Sequence, residues 1–143
     1  VHVKIILTID SAQVSISWPT SQPTSKPTTS PPCNGMTVQV KVLTDNYPEE
    51  TSWNRADQCN GGQIVATSDP YTQSSSLHTS TMCLPTGSYG YTIMDTYGDG
   101  ICCGFGTGSY EVLVDGNSTL TGGLFAFSET KTFGTTCVSP IIP

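Results

Sequence analysis

The chain has 143 residues, of which 11% are charged and 36% hydrophobic, and it carries a formal net charge of -6. Its five basic residues, Lys4, Lys26, Lys41, Arg55 and Lys131, are scattered; this excludes the Lys/Arg-lined face that nucleic acid requires and disfavours anionic membrane surfaces. No apolar run approaches the ~20 residues that span a bilayer, so membrane insertion is not expected, and the abundance of Thr, Ser, Gly and Pro favours short strands and turns over helices.

Residues 1–18 alternate: Val1, Val3, Ile5, Leu7 and Ile9 fall on one face, and Ala12, Val14, Ile16 and Trp18 follow after Asp10-Ser11. The pattern predicts a bulged strand or a hairpin that cannot stay uncovered in water, and the expected cover is a sheet of a neighbouring copy or domain. Residues 19–32 repeat every four, with Pro19, Pro23, Pro27 and Pro31 leading PTSQ, PTSK, PTTS and PP. Proline fixes φ and removes donors, while Ser and Thr add no apolar surface; an extended stalk of roughly 40 Å is expected. Thr20, Ser21, Thr24, Ser25, Thr28, Thr29 and Ser30 are candidates for O-linked glycan there, and Asn117 of Asn117-Ser118-Thr119 for N-linked glycan.

From Cys33 onward the pattern becomes strands and turns. Met36, Val38, Val40 and Val42 form one alternating face, Tyr89, Tyr91 and Ile93 a second, Tyr110, Val112 and Val114 a third, and Phe125 with Phe127 a fourth. Asn60-Gly61-Gly62, Asp99-Gly100, Asp115-Gly116 and Gly122-Gly123 are turn signals. The expected fold is all-β: an antiparallel, jelly-roll-like β-sandwich over residues 33–138, preceded by the strand segment and the Pro-rich linker and followed by a tail, 139–143.

Six cysteines, Cys33, Cys59, Cys83, Cys102, Cys103 and Cys137, form an even set without the repeated C-x2-C spacing of a zinc site. Three intrachain disulfides and an oxidising compartment are expected. Cys33 and Cys137 bracket the domain and are the expected pair. Cys102 and Cys103 are expected to bond elsewhere, to Cys83 and Cys59, because successive strand residues point to opposite faces. The chain starts at Val1, with neither an initiator Met nor a signal-peptide pattern, as a mature product or fragment of an exported precursor would.

Two segments carry carboxylates. In DTYGDGICC, Asp95 and Asp99 lie four apart on a glycine-bearing turn, a spacing that lets them converge on one hard cation, with carbonyls near Gly98 to Ile101 completing the oxygen set. It is not an EF-hand, since Tyr97 and Gly106 occupy positions where that loop needs a carboxylate or amide and a bidentate Glu. The other reading is a tight turn whose Asp side chains bond their own backbone. The second segment, TDNYPEETSW, offers Asp45, Glu49 or Glu50 to the same calcium ion and aromatics to a sugar; read as a solvated loop, it sends Trp53 into the core.

TDNYPEETSW, then Cys83-Leu84, then YGYTIMDTYGDGICCGFGTGSYEVLVDG and GGLFAFSETKTF, together about residues 43–134, resemble a recurrent domain of large secreted proteins of aquatic microbes. There it often stands beside protease or other catalytic domains. The resemblance implies a β-sandwich accessory or surface module without catalytic activity of its own. The Pro-Thr tract resembles the glycosylated stalks of cell-surface and matrix proteins.

Enzyme motifs are missing. His2 and His78 are the only histidines, neither H-E-x-x-H nor G-x-S-x-G occurs, and no Lys accompanies Gly104-Phe105-Gly106-Thr107-Gly108 to make a phosphate cradle. Two non-enzymatic expectations follow for an extracellular, cell-surface protein. The first is a structural glycoprotein that polymerises into a filament through its N-terminal strand. The second is a calcium-dependent module that holds polysaccharide.

Overall fold

Val38, Val40 and Val42 are buried while Thr37 is exposed and Gln39 and Lys41 are half-exposed, so the sequence alternation becomes strand β1, Met36–Leu43. The computed structural model describes residues 31–139. The expected strand 1–18 with its stripe Val1, Val3, Ile5, Leu7 and Ile9, the stalk hydroxyls from Thr20 to Ser30, and residues 140–143 lie outside the described residues.

Seven further strands follow among the described residues: β2 Thr51–Asp57, β3 Gln63–Thr67, β4 Leu77–Leu84, β5 Ser88–Asp95, β6 Ser109–Val114, β7 Asn117–Gly122 and β8 Ser128–Gly134. They form two four-stranded sheets, ordered β4-β1-β6-β7 and β3-β2-β5-β8, with every pairing antiparallel. The protein is an all-β sandwich. Its core takes Met36, Val38, Val40, Val42, Tyr110 and Val112 from one sheet and Trp53, Tyr89, Tyr91, Ile93 and Phe133 from the other. Tyr91 meets Tyr110 across the interface with ring centroids 5.2 Å apart, and the buried Trp53 Nε1 donates to Tyr71 Oη at 3.0 Å. Each large side chain so removed from water contributes about 1.5–3 kcal/mol. No helix among the described residues is long and apolar enough to cross a membrane.

Several sequence expectations need correction. Phe125 and Phe127 are not a strand; they lie in the β7–β8 connection, where the Phe127 carbonyl accepts from the Asp95 amide at 2.9 Å. His78 lies in β4, and the acidic segment is not one loop: it forms a 3-10 turn, Pro48–Glu50, and its last three residues, Thr51 to Trp53, open β2. Trp53 is buried, as expected.

There are three intrachain disulfides, but the pairs are Cys33–Cys83, Cys59–Cys137 and Cys102–Cys103. The bracketing pair Cys33–Cys137 fails because β1 and β8 belong to different sheets, so each terminal cysteine bonds beside its own sheet. Cys83 opposes Thr37 on β1, close to Cys33, and the Cys59 sulfur accepts from the Ser88 amide, beside the Gly87 carbonyl that receives Thr135 N. Cys102 and Cys103 escape the alternation rule because they sit in a loop, joined by a cis peptide and closed by one β-bridge from Cys102 to Thr107. Three disulfides mark a protein of a non-cytoplasmic, oxidising compartment.

The registers place the chain's arrival at Cys33 and its departure at Cys137 at one end of the sandwich, with the β2–β3, β4–β5 and β6–β7 turns. The β1–β2, β5–β6 and β7–β8 connections meet at the opposite end.

Candidate functional site

The site is built where those three connections converge. Thr44, buried, fixes the first: its hydroxyl donates to Gln73 O at 2.6 Å and its amide to Ser76 O at 3.0 Å. Asp45 then turns the chain by accepting from Tyr47 N at 2.9 Å, and Pro48 starts the 3-10 turn that delivers Glu50. The Glu50 carbonyl accepts from Thr96 N at 3.1 Å, which fastens this connection to the next.

Asp95 ends β5 and repeats the device: its Oδ1 accepts from Tyr97 N at 2.9 Å and Gly98 N at 2.6 Å. Gly98 has φ +96°, and a Cβ there would strike the Phe127 ring, so only glycine lets the two loops close. Gly106, at φ +134°, similarly lies with its would-be Cβ 3.0 Å from Asp45 Cβ, while Asn46 N donates to Phe105 O at 3.0 Å.

These ties bring Glu50, Asp95 and Asp99 together, each with a carboxylate oxygen within 4.8 Å of the others; Asp95 is buried and the other two are half-exposed. Glu50 and Asp99 open into a cavity of about 350 Å³ whose other walls are Tyr47, Tyr97 and Phe105. All three aromatics are exposed, Tyr97 by 71%, and Tyr47 meets Phe105 edge-on with centroids 5.7 Å apart. The volume is in the range of small-molecule sites.

The electrostatics are one-signed. Burial pushes the Asp45 carboxyl above its ordinary value, the Tyr47 amide offsets part of that, and the Asp95 and Asp99 charges add to the rise. Partial loss of hydration raises the Glu50 carboxyl, followed by the charges of Asp95, Asp99, Glu49 and Asp45. Carboxylates crowded in this way are relieved by a hard divalent cation, which takes six to eight oxygens. A further oxygen is at hand: Thr51 opposes Asp95 in the β2–β5 register, both are buried, and Thr51 Oγ1 has no hydrogen-bond partner.

Of the sequence candidates, Asp95 and Asp99 are brought together, and Glu50 is the member of the acidic segment that joins them. Asp45 is not in the triad; it lies within electrostatic reach and shapes the loop. Gly98 contributes an amide to Asp95, and Ile101 is fully buried, with its amide donating to Gly123 O at 3.3 Å and its carbonyl against Gly108. Asn117 is exposed at the β6–β7 turn, at the end opposite the triad, with its Nδ2 donating to Asp115 O at 3.3 Å. Of the aromatics that the acidic segment offered to a sugar, Tyr47 lines the cavity and Trp53 is buried in the core; the sequence reading overlooked Tyr97 and Phe105 as cavity walls, and Thr51. The repeat of Asp-x-Tyr at Asp45-Asn46-Tyr47 and Asp95-Thr96-Tyr97 was the available signal.

Compared with family models, curated proteins and solved structures, the chain finds no significant match in any of the three.

Proposed function

We propose that this is a non-enzymatic extracellular binding module that holds carbohydrate through a calcium ion at Glu50, Asp95 and Asp99. The observation that carries the reading is the carboxylate triad, two members of which, Glu50 and Asp99, open into a cavity walled by Tyr47, Tyr97 and Phe105. Three carboxylates leave coordination positions open for ligand hydroxyls, and exposed aromatic rings offer apolar faces to sugar C–H groups. The resemblance of residues 43–134 to an accessory module of secreted proteins agrees with this reading, as does the disulfide framework. The alternative, a filament subunit assembled through copies of its own N-terminal strand, rests on Val1 to Ile9, outside the described residues.

The test is retention of the native protein in gels containing polysaccharide, with calcium and with EGTA. Calcium-dependent retardation by a polysaccharide, weakened in Glu50→Gln, is the expected result. Migration unaffected by every polysaccharide, in protein whose melting temperature does respond to calcium, would remove carbohydrate from the reading.

A further inference from the structure

The character of the sugar is readable from charge. A divalent cation on Glu50, Asp95 and Asp99 leaves the triad with one formal negative charge in excess, and Asp45 and Glu49 lie close enough to act on Glu50. An anionic polysaccharide therefore needs a basic side chain at the rim. The basic residues among those described are engaged elsewhere: Lys41 pairs with Glu111 at 3.7 Å, Lys131 with Glu129 at 3.5 Å, and the buried Arg55 lies over the Tyr89 ring at 5.7 Å. The wall residues that remain are two tyrosines and a phenylalanine, which supply ring faces and two neutral hydroxyls.

A second feature, independent of the carboxylates, points to a bound cation here. Thr51 is 3% exposed and its Oγ1 lacks a partner. Directly opposed antiparallel residues hold their Cβ atoms about 4.5–5.5 Å apart on the same face, so Thr51 and Asp95 are side-chain neighbours on the core face of the sheet. A buried hydroxyl without a partner costs about 1–3 kcal/mol, and a metal or a metal-bound water would satisfy it.

We infer that the ligand is a neutral polysaccharide, two adjacent hydroxyls of which complete the calcium coordination at Glu50, Asp95 and Asp99 while the sugar ring lies on Tyr97. This rests on the binding-module reading above and narrows it to one chemical class. Neutral hydroxyls replace cation-bound waters without adding charge, whereas a carboxylate or sulfate group would meet Asp45, Glu49 and the triad together.

The experiment runs the native protein through gels containing neutral polysaccharides (mannan, galactan, β-glucan) or anionic ones (alginate, polygalacturonate, a sulfated galactan), in calcium and in EGTA. The expected result is calcium-dependent retardation by at least one neutral polymer and by no anionic one. Tyr97→Ala should weaken that retardation about tenfold while leaving the calcium-induced rise in melting temperature intact. Retardation by anionic polymers, equal to or stronger than that by neutral ones, would overturn the inference and leave the binding-module reading standing. Retardation by neither class, in protein that calcium stabilises, would overturn both.

Discussion

Asp45, two residues past the end of β1, and Asp95, the last residue of β5, are counterparts: each accepts the amide of the tyrosine two residues on at 2.9 Å. The two turns bring Tyr47, on the connection that leads into β2, and Tyr97, on the one that leaves β5, to the wall of one cavity. Because each turn is made by a side chain on its own backbone, the aromatic walls are in place before any ligand arrives, which lowers the ordering cost of binding.

Calcium should stabilise the fold. A ligand bound only by the native state adds about 2.7 kcal/mol at a hundredfold excess over Kd, which for a domain of this size is a rise of roughly 10 °C in Tm. Asp99→Asn should abolish the response with little change in the calcium-free Tm. Asp95→Asn should abolish it and also lower the calcium-free Tm, because Asp95 caps Tyr97 N and Gly98 N. Calorimetry in calcium and in EGTA checks all three proteins; curves that coincide in wild type would show the triad to be only part of a turn.

Thr51→Val separates a hydroxyl that serves the cation from one that is merely buried. The replacement keeps the shape and removes an oxygen that has no partner. In EGTA the variant should be as stable as wild type or up to about 1 kcal/mol more so. Its calcium affinity, measured by isothermal titration, should fall several-fold. An unchanged affinity would place Oγ1 outside the coordination sphere and its waters.

The three disulfides should differ sharply in worth. Cys33–Cys83 and Cys59–Cys137 close separations of 50 and 78 residues, for which chain entropy gives about 4 kcal/mol each. Cys102–Cys103 spans one peptide and constrains almost no unfolded-state entropy. Cys59→Ser with Cys137→Ser should therefore lower Tm far more than Cys102→Ser with Cys103→Ser. The latter pair is expected to act on the calcium response, through the loop that carries Asp99 and Phe105. Non-reducing peptide mapping with melting curves decides both points.

Tyr91 is almost wholly buried and its hydroxyl has no partner, whereas the hydroxyl of Tyr110, across the sandwich, is bonded to Glu129. Tyr91→Phe should be neutral or stabilising by about 1 kcal/mol, and Tyr110→Phe destabilising by about 1–3 kcal/mol because it leaves Glu129 without that donor. Denaturant titration of the two variants gives opposite signs if the core is packed as described.

Three of the central strands, β1, β5 and β6, were legible because their side chains alternate between core and solvent: Val38-Val40-Val42, Tyr89-Tyr91-Ile93 and Tyr110-Val112. The edge strands β3, β4, β7 and β8 were not, nor was the central β2, which was read as the end of an acidic loop. Leu77, Thr79, Ser80 and Thr81 of β4 are exposed and polar or isolated, so no period marks the strand, and backbone pairing to β1 alone defines it. Phe125 and Phe127 imitated a strand because apolar spacing also arises in a loop packed on its neighbours, here with Phe127 over Gly98. Asp95 and Asp99 were legible through local spacing; their meeting with Glu50 was not, since it depends on the long-range pairing of β2 with β5, which the Thr96–Glu50 backbone bond continues. Disulfide partners were hidden for the same reason: sequence order says nothing of which sheet a cysteine adjoins.

The two long disulfides also determine how the domain responds to tension. When the chain is pulled at Cys33 and Cys137, the bonds to Cys83 and Cys59 short-circuit most of the polypeptide. Extension then stops when the stretch between Cys59 and Cys83 is taut, roughly 80 Å at about 3.4 Å per residue, against roughly 350 Å for the reduced chain. Residues 84–136, including the Asp95–Asp99 loop, stay slack in the oxidised protein. Under load the oxidised domain would give a little and then stop lengthening.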